Sequence, residues 1–155
     1  MGALARPGWP LAVLFACGYN AVRSPMAAGL LKPLLGSRHY VASAGVRKDD
    51  LDPFAVAAME ELGIDIAAHR PITFEELEDL EGLNFDLIVT LSPEAHHRAL
   101  ELTRTAAVEV EYWPTADPTV QEGSREQRLD AYRAVRDQLM ARIRGRLAPG
   151  RGGNE

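Results

Sequence analysis

The apolar positions of this chain form two kinds of pattern, short unbroken runs and longer stripes at helical spacing. Leu11–Ala16 (LAVLFA) is an unbroken run followed by a cysteine and a glycine, the pattern of a strand buried on both faces. Phe85–Leu91 (FDLIVTL) is a second clear strand, and Tyr40–Ser43, closed by Gly45, and Val108–Tyr112 are two more. Between these runs the spacing turns helical. Met26, Leu30, Leu31 and Leu34 follow Pro25, which suits a first helical turn, and Pro33 marks a kink or a last turn before Gly36. Pro53–Leu62 is a helix entered through Asp52, with Gly63 after its end. Phe74–Leu80 is a short acidic helix, and EELEDLE (Glu75–Glu81) a solvated face. Ser92-Pro93 starts a helix through Leu102. Ser124 with Gln127 makes a capping box for a long last helix. Its Leu129, Tyr132, Leu139 and Ile143 share one stripe, and Arg142, Arg144 and Arg146 suit its C-terminal end.

Strands alternating with helices predict an α/β fold, a single three-layer domain in which a four-stranded parallel sheet carries helices on both faces. Residues 11–147 form that domain, with flexible tails at residues 1–10 and 148–155. In such sheets ligands bind beyond the carboxyl ends of the strands. Cys17 stands at one such end, and Asp117, in WPTADPT past the fourth strand, at another.

Composition narrows the chemistry. A net charge of -5 lacks the clustered basic charge of a nucleic-acid binder, so no nucleic-acid partner is expected. No apolar run approaches the roughly 18–20 residues of a membrane span, so no membrane partner is expected either. Arg6, LAVLFA and Cys17 superficially resemble a lipoprotein leader, but the apolar part is shorter than the roughly 7–15 residues required and Pro10 abuts it. Arg6 likewise stands where a myristoylation signal carries Ser or Thr. A single cysteine makes no internal disulfide and no cysteine-rich zinc site, which fits a reducing compartment and a cytoplasmic protein.

That cysteine precedes a loop, Gly18-Tyr19-Asn20-Ala21-Val22-Arg23, that runs into a helix near Ser24-Pro25. Backbone N–H groups at a helix start have no helical partner, and the dipole adds partial positive charge, so the loop forms a nest for a tetrahedral oxyanion. Arg23 adds a planar fork able to hold two oxygens of that anion. The same field stabilises the ionised form of Cys17, Ser24 donates to its sulfur, and the thiolate is aimed at the centre of the bound anion. Asp117, held in a turn by Pro118, can protonate a leaving group and then activate water.

Cys17, five residues, Arg23 and Ser24, a strand before, Pro25 after and Asp117-Pro118 about a hundred residues on resemble the low-molecular-weight protein tyrosine phosphatase family. SAG at Ser43–Gly45 and GIDIAAHRPIT at Gly63–Thr73 extend the resemblance over Leu11–Leu147. It implies a phosphate-binding loop after the first strand, Cys17 as nucleophile, Arg23 as phosphate clamp and Asp117 as general acid. It also implies that Asn20 holds the loop's shape with Ser43 behind it, and that Ser24 tunes the thiolate. Gly18, Tyr19, Ala21 and Val22 supply the cradle. No cofactor or metal is required. The implied function is hydrolysis of phosphomonoesters, phosphotyrosine among them, through a cysteinyl-phosphate, on a phosphorylated protein or small molecule.

Three departures bear on that reading. Val22 stands where the family carries a second cysteine, Tyr19 where a glycine is frequent, and Thr119 and Val120 where phosphotyrosine-specific members place aromatics. The main rival shares fold and loop: an arsenate reductase drawing electrons from an external thiol such as glutathione, which the stretch Asp117–Ile143 resembles. A rival of another class is a non-catalytic oxyanion-binding protein. His96-His97 lacks partners at metal-ligand spacing and is expected on a helix surface. His69-Arg70 either contacts substrate or anchors a loop. The arginines of the last helix are expected to be exposed charge rather than an anion site. Oligomeric state is not legible.

Overall fold

A computed structural model describes residues 10–147. Of the tails expected at residues 1–10 and 148–155, residues 1–9 and 148–155 lie outside them. In chain order the elements are β1 (Ala12–Cys17), α1 (Arg23–Leu31), β2 (Tyr40–Gly45), α2 (Pro53–Glu60), α3 (Phe74–Glu81), β3 (Leu87–Thr90), α4 (Pro93–Leu102), β4 (Glu109–Tyr112) and α5 (Arg125–Leu147). Single 3-10 turns follow α1 at Lys32–Leu34 and precede α5 at Pro118–Val120. The four strands make one parallel sheet in the order β2-β1-β3-β4.

Alternation along β1 divides the core, because successive side chains point to opposite faces. Val13, Phe15 and Cys17 pack with α1, α2 and α5 through residues such as Met26, Leu30, Met59, Tyr132 and Leu139. Leu14 and Ala16 pack on the other face with Phe74 and Leu77 of α3 and Ala95 and Ala99 of α4. Both faces are covered, as the unbroken apolar run of β1 requires.

The element ends differ from the sequence expectation for identifiable reasons. Strand β1 continues through Cys17 and β2 through Gly45, because those two residues are paired in register. Strand β3 starts later than Phe85. Asp86 instead turns its carboxylate onto the N–H groups of Leu11 and Ala12, at 3.1 and 2.9 Å. Pro33 lies in a 3-10 turn that ends α1 rather than in a kinked continuation.

Candidate active site

Among the described α-helices, α1 is the one whose N-terminus no side chain caps. Its N-cap position, Val22, offers no side-chain hydrogen bond. By contrast Asp52 caps α2, Thr73 caps α3 in a capping box with Glu76, and Ser92 caps α4. Ser124 accepts from Gln127 N–H at the start of α5. The orphan donors of α1 therefore face the loop that precedes it.

The loop's carbonyls point away from that space. Those of Cys17, Gly18, Tyr19 and Ala21 accept from the N–H groups of Val46, Arg47, Asp49 and Asp52 at 2.8–3.2 Å. The Val22 carbonyl accepts from Met26, and His69 Nε2 lies 3.3 Å from that of Asn20. Among the described residues, the N–H groups of Gly18–Ser24 have no protein acceptor. With every carbonyl turned outward, the amides are left to form an anion-binding concavity.

Asn20 holds this shape. It alone among the described non-glycine residues has positive φ, 56°, a left-handed conformation asparagine tolerates better than most. It is fully buried, and its amide nitrogen donates to Ser24 Oγ at 2.8 Å and Ser43 Oγ at 2.9 Å. Its Oδ1 accepts from Ile72 N–H at 2.9 Å, with His69 Nε2 at 3.0 Å. Since both atoms facing Nε2 are carbonyl oxygens, that nitrogen is the donor. His69 is thus a loop anchor, the second of the two roles open to it in the sequence. Gly45 lets β2 approach the loop, because a Cβ there would strike the Arg47 carbonyl and lie 2.8 Å from Asn20 N and 2.9 Å from Tyr19 C.

Cys17 is 2% exposed, at the floor of a cavity of about 740 Å³. Its sulfur is 2.9 Å from Ser24 Oγ. Arg23 and Asp117 line the same cavity, so the chain brings its three candidate catalytic residues together from positions a hundred residues apart. Arg23 Nη1 donates to the Thr115 carbonyl at 2.9 Å, tying the loop to the segment that carries Asp117. Asp117 Oδ1 accepts from Thr119 N–H at 3.0 Å and its hydroxyl at 2.7 Å, which fixes the carboxylate. Tyr19, Ala21 and Val22 also line the cavity, whereas Gly18, Asn20, Ser24 and Ser43 stand behind it.

In the upper walls, the contribution of the last helix was not expected. Asp49–Phe54 and, from α5, Arg125 and Arg128 complete the cavity. Both arginines are exposed charges, as expected of the last helix, and both also border the cavity. A signal existed: cations in a first turn oppose the helix dipole. His96 stacks on Tyr112 and lies 3.0 Å from Thr90 Oγ1 through its Nδ1. Among the described residues no three His, Cys, Asp or Glu side chains gather to hold a metal. Nor is any described helix long and apolar enough to cross a membrane.

Residues 12–148 match the family model for low molecular weight phosphotyrosine protein phosphatase. An arsenate reductase from Shouchella clausii is 38% identical over 133 residues, 85% of this chain and 91% of that protein. A glutaredoxin arsenate reductase from Synechocystis sp. is 30% identical over 136 residues, 88% of this chain and 95% of that protein. Among solved structures, an arginine phosphatase from Geobacillus stearothermophilus aligns with a TM-score of 0.71 at 26% identity, covering 94% of this chain and 95% of that one. The chain belongs to the low molecular weight phosphotyrosine protein phosphatase family.

Proposed function

We propose that this protein reduces arsenate with an external thiol through a covalent adduct on Cys17. The observation that carries this reading is that Cys17, on the floor of the amide-lined loop, is the only cysteine in the chain. No internal disulfide can form, so both electrons for a reduction come from outside. The arsenate reductase names of the relatives above support the choice of oxyanion. They reverse the order drawn from sequence, where phosphomonoester hydrolysis stood first.

Arg23 and the loop amides hold three oxygens while the Cys17 thiolate bonds to arsenic. Asp117 protonates the departing hydroxyl of the arsenate, which leaves as water. An external thiolate then bonds to Cys17 Sγ, the sulfur–arsenic bond breaks, and its electron pair stays on arsenic as arsenite. A second thiol attacks the mixed disulfide, regenerates Cys17 and leaves as the oxidised disulfide.

Phosphomonoester hydrolysis is the second reading, favoured by Asp117 beside Cys17 in one cavity. There Asp117 protonates the alcohol leaving group and its carboxylate form activates water against the cysteinyl-phosphate. One pair of assays separates the readings: arsenite formation from arsenate with glutathione and glutaredoxin, and hydrolysis of p-nitrophenyl phosphate, each beside Cys17→Ser. Thiol-dependent arsenite lost on substitution supports the first reading. Hydrolysis without arsenite formation installs the second. Phosphate binding with neither turnover leaves an oxyanion-binding protein.

A further inference from the structure

The cavity above Cys17 is far larger than the ion its floor would hold. At about 740 Å³ it falls within the roughly 300–1,000 Å³ of sites that take whole small molecules. Because Cys17 is 2% exposed, a thiol that attacks its sulfur has to enter through this cavity.

Its mouth is charged in an unusual way. Arg125 and Arg128 flank the Phe54 ring, their guanidinium carbons 5.5 and 4.7 Å from its centroid, an arrangement that orients both forks. Neither forms a salt bridge among the described residues, a state shared with Arg38, Arg70, Arg104, Arg142 and Arg144 but not with Arg47, Arg98, Arg133, Arg136 or Arg146. That holds although Asp49, Asp50, Asp52 and Asp117 line the same cavity. Asp52 is committed to Phe54 N–H at 2.8 Å and the Tyr132 hydroxyl at 2.6 Å, and Asp117 to Thr119. Asp49 caps Asp50 N–H with one oxygen, and no described side chain or N–H donates to Asp50. Both stand exposed on the loop after β2. Unpaired acids and unpaired arginines thus share one mouth, and the arginines hold a first helical turn where the dipole disfavours them.

We propose that this mouth docks a zwitterionic peptide thiol of the glutathione class. Arg125 and Arg128 take its carboxylates, and Asp49 and Asp50 its ammonium. The inference rests on the external-thiol reading. The docked thiolate bonds to Cys17 Sγ, the pair of the broken sulfur–arsenic bond goes to arsenic, and a second molecule of the same thiol releases the mixed disulfide.

The test uses S-methylglutathione, which cannot reduce anything, titrated calorimetrically into Cys17→Ser protein in the presence of phosphate. Binding is expected, weakened about tenfold or more by Arg125→Ala with Arg128→Ala and unaffected by Arg144→Ala. Asp49→Asn with Asp50→Asn weakens it more than it weakens the N-acetylated ligand. In the active enzyme the paired arginine substitutions raise KM for glutathione by a larger factor than KM for 2-mercaptoethanol, with thermal melts confirming a folded protein. Absent binding, or binding indifferent to both arginines, overturns the subsite. Arginine-dependent binding in a protein that forms no arsenite from arsenate, whichever thiol is supplied, keeps the docking subsite and removes the reductase reading.

Discussion

The floor and the mouth of one cavity are built on opposite terms. On the floor, the carbonyls of Cys17–Val22 have their partners, Asn20 and Ser24 are fully buried, and Arg23 is tied to Thr115. At the mouth, Tyr19 is 48% exposed and Asp49, Asp50, Arg125 and Arg128 are exposed charges. A group that must meet a transition state is held rigid, since misplacement by about 1 Å costs rate steeply. A group that selects among ligands tolerates looser placement. Substitutions on the floor are therefore expected to change kcat for every substrate, and those at the mouth to change KM for some.

The sharpest break is Cys17→Ser, expected to lower turnover at least about 10³-fold, since removing a nucleophile forfeits the covalent route. Phosphate binding, which rests on the amides and Arg23, should survive in a calorimetric titration. Turnover above a few per cent would take the nucleophile role from Cys17. Next in size is Arg23→Ala, expected to cost about 10²–10³ in kcat, the range for removing one oxyanion donor. Its loss also frees the Thr115 segment, so the effect should be equal for small and large substrates. A change confined to KM for large ones would make Arg23 a mouth residue.

A third substitution separates backbone from side chain within the floor. Asn20→Ala leaves Ser24, Ser43 and Ile72 N–H short of partners, at about 1–3 kcal/mol for a buried group left unsatisfied. It also puts at φ 56° an alanine, which lacks asparagine's tolerance of left-handed backbone, at up to about 1–2 kcal/mol. Asn20→Gly should recover the second loss and not the first, as read by denaturant melts. Equal destabilisation by both would mean that the loop relaxes its backbone when the network goes.

How far the site was legible follows the same division. Cys17, Arg23 and Ser24 lie within eight residues, and a strand running into an uncapped helix start dictates where they point. Asp52 and Ser124 were readable as caps because a cap acts on neighbours two or three residues away. The arginines of the mouth were not readable in this way. Arg125 and Arg128 reach Cys17's cavity only because α5 crosses the same face as α1 and α2. The Tyr132 hydroxyl bonds Asp52 across 80 residues, with burial and then that bond holding the phenol above its ordinary range. Nothing local announces such partners. Tyr40–Ser43 came out short for the same reason, since its last pairing, Gly45 with Cys17, is set by the sheet.

The smallest expected effect concerns the anchor that joins floor to scaffold. His69 is held below the ordinary imidazole range chiefly by burial, with Lys32 adding to the lowering and the Asn20 carbonyl opposing it. Protonation keeps the Nε2–H donor to Asn20 but charges a half-buried ring. With the folded value depressed, the stability this residue contributes is fully present above its unfolded value, near about 6.5. It is lost as pH falls from there through the folded value. Wild-type protein should therefore lose more Tm between pH 7.5 and pH 5.5 than His69→Gln, which can still donate toward Asn20 yet does not titrate. The comparison isolates one ring, because His39, His96 and His97 are common to both proteins. Parallel Tm curves would assign the acid sensitivity elsewhere, and a lower kcat for His69→Gln at pH 7.5 would show that the amide fails to replace the anchor.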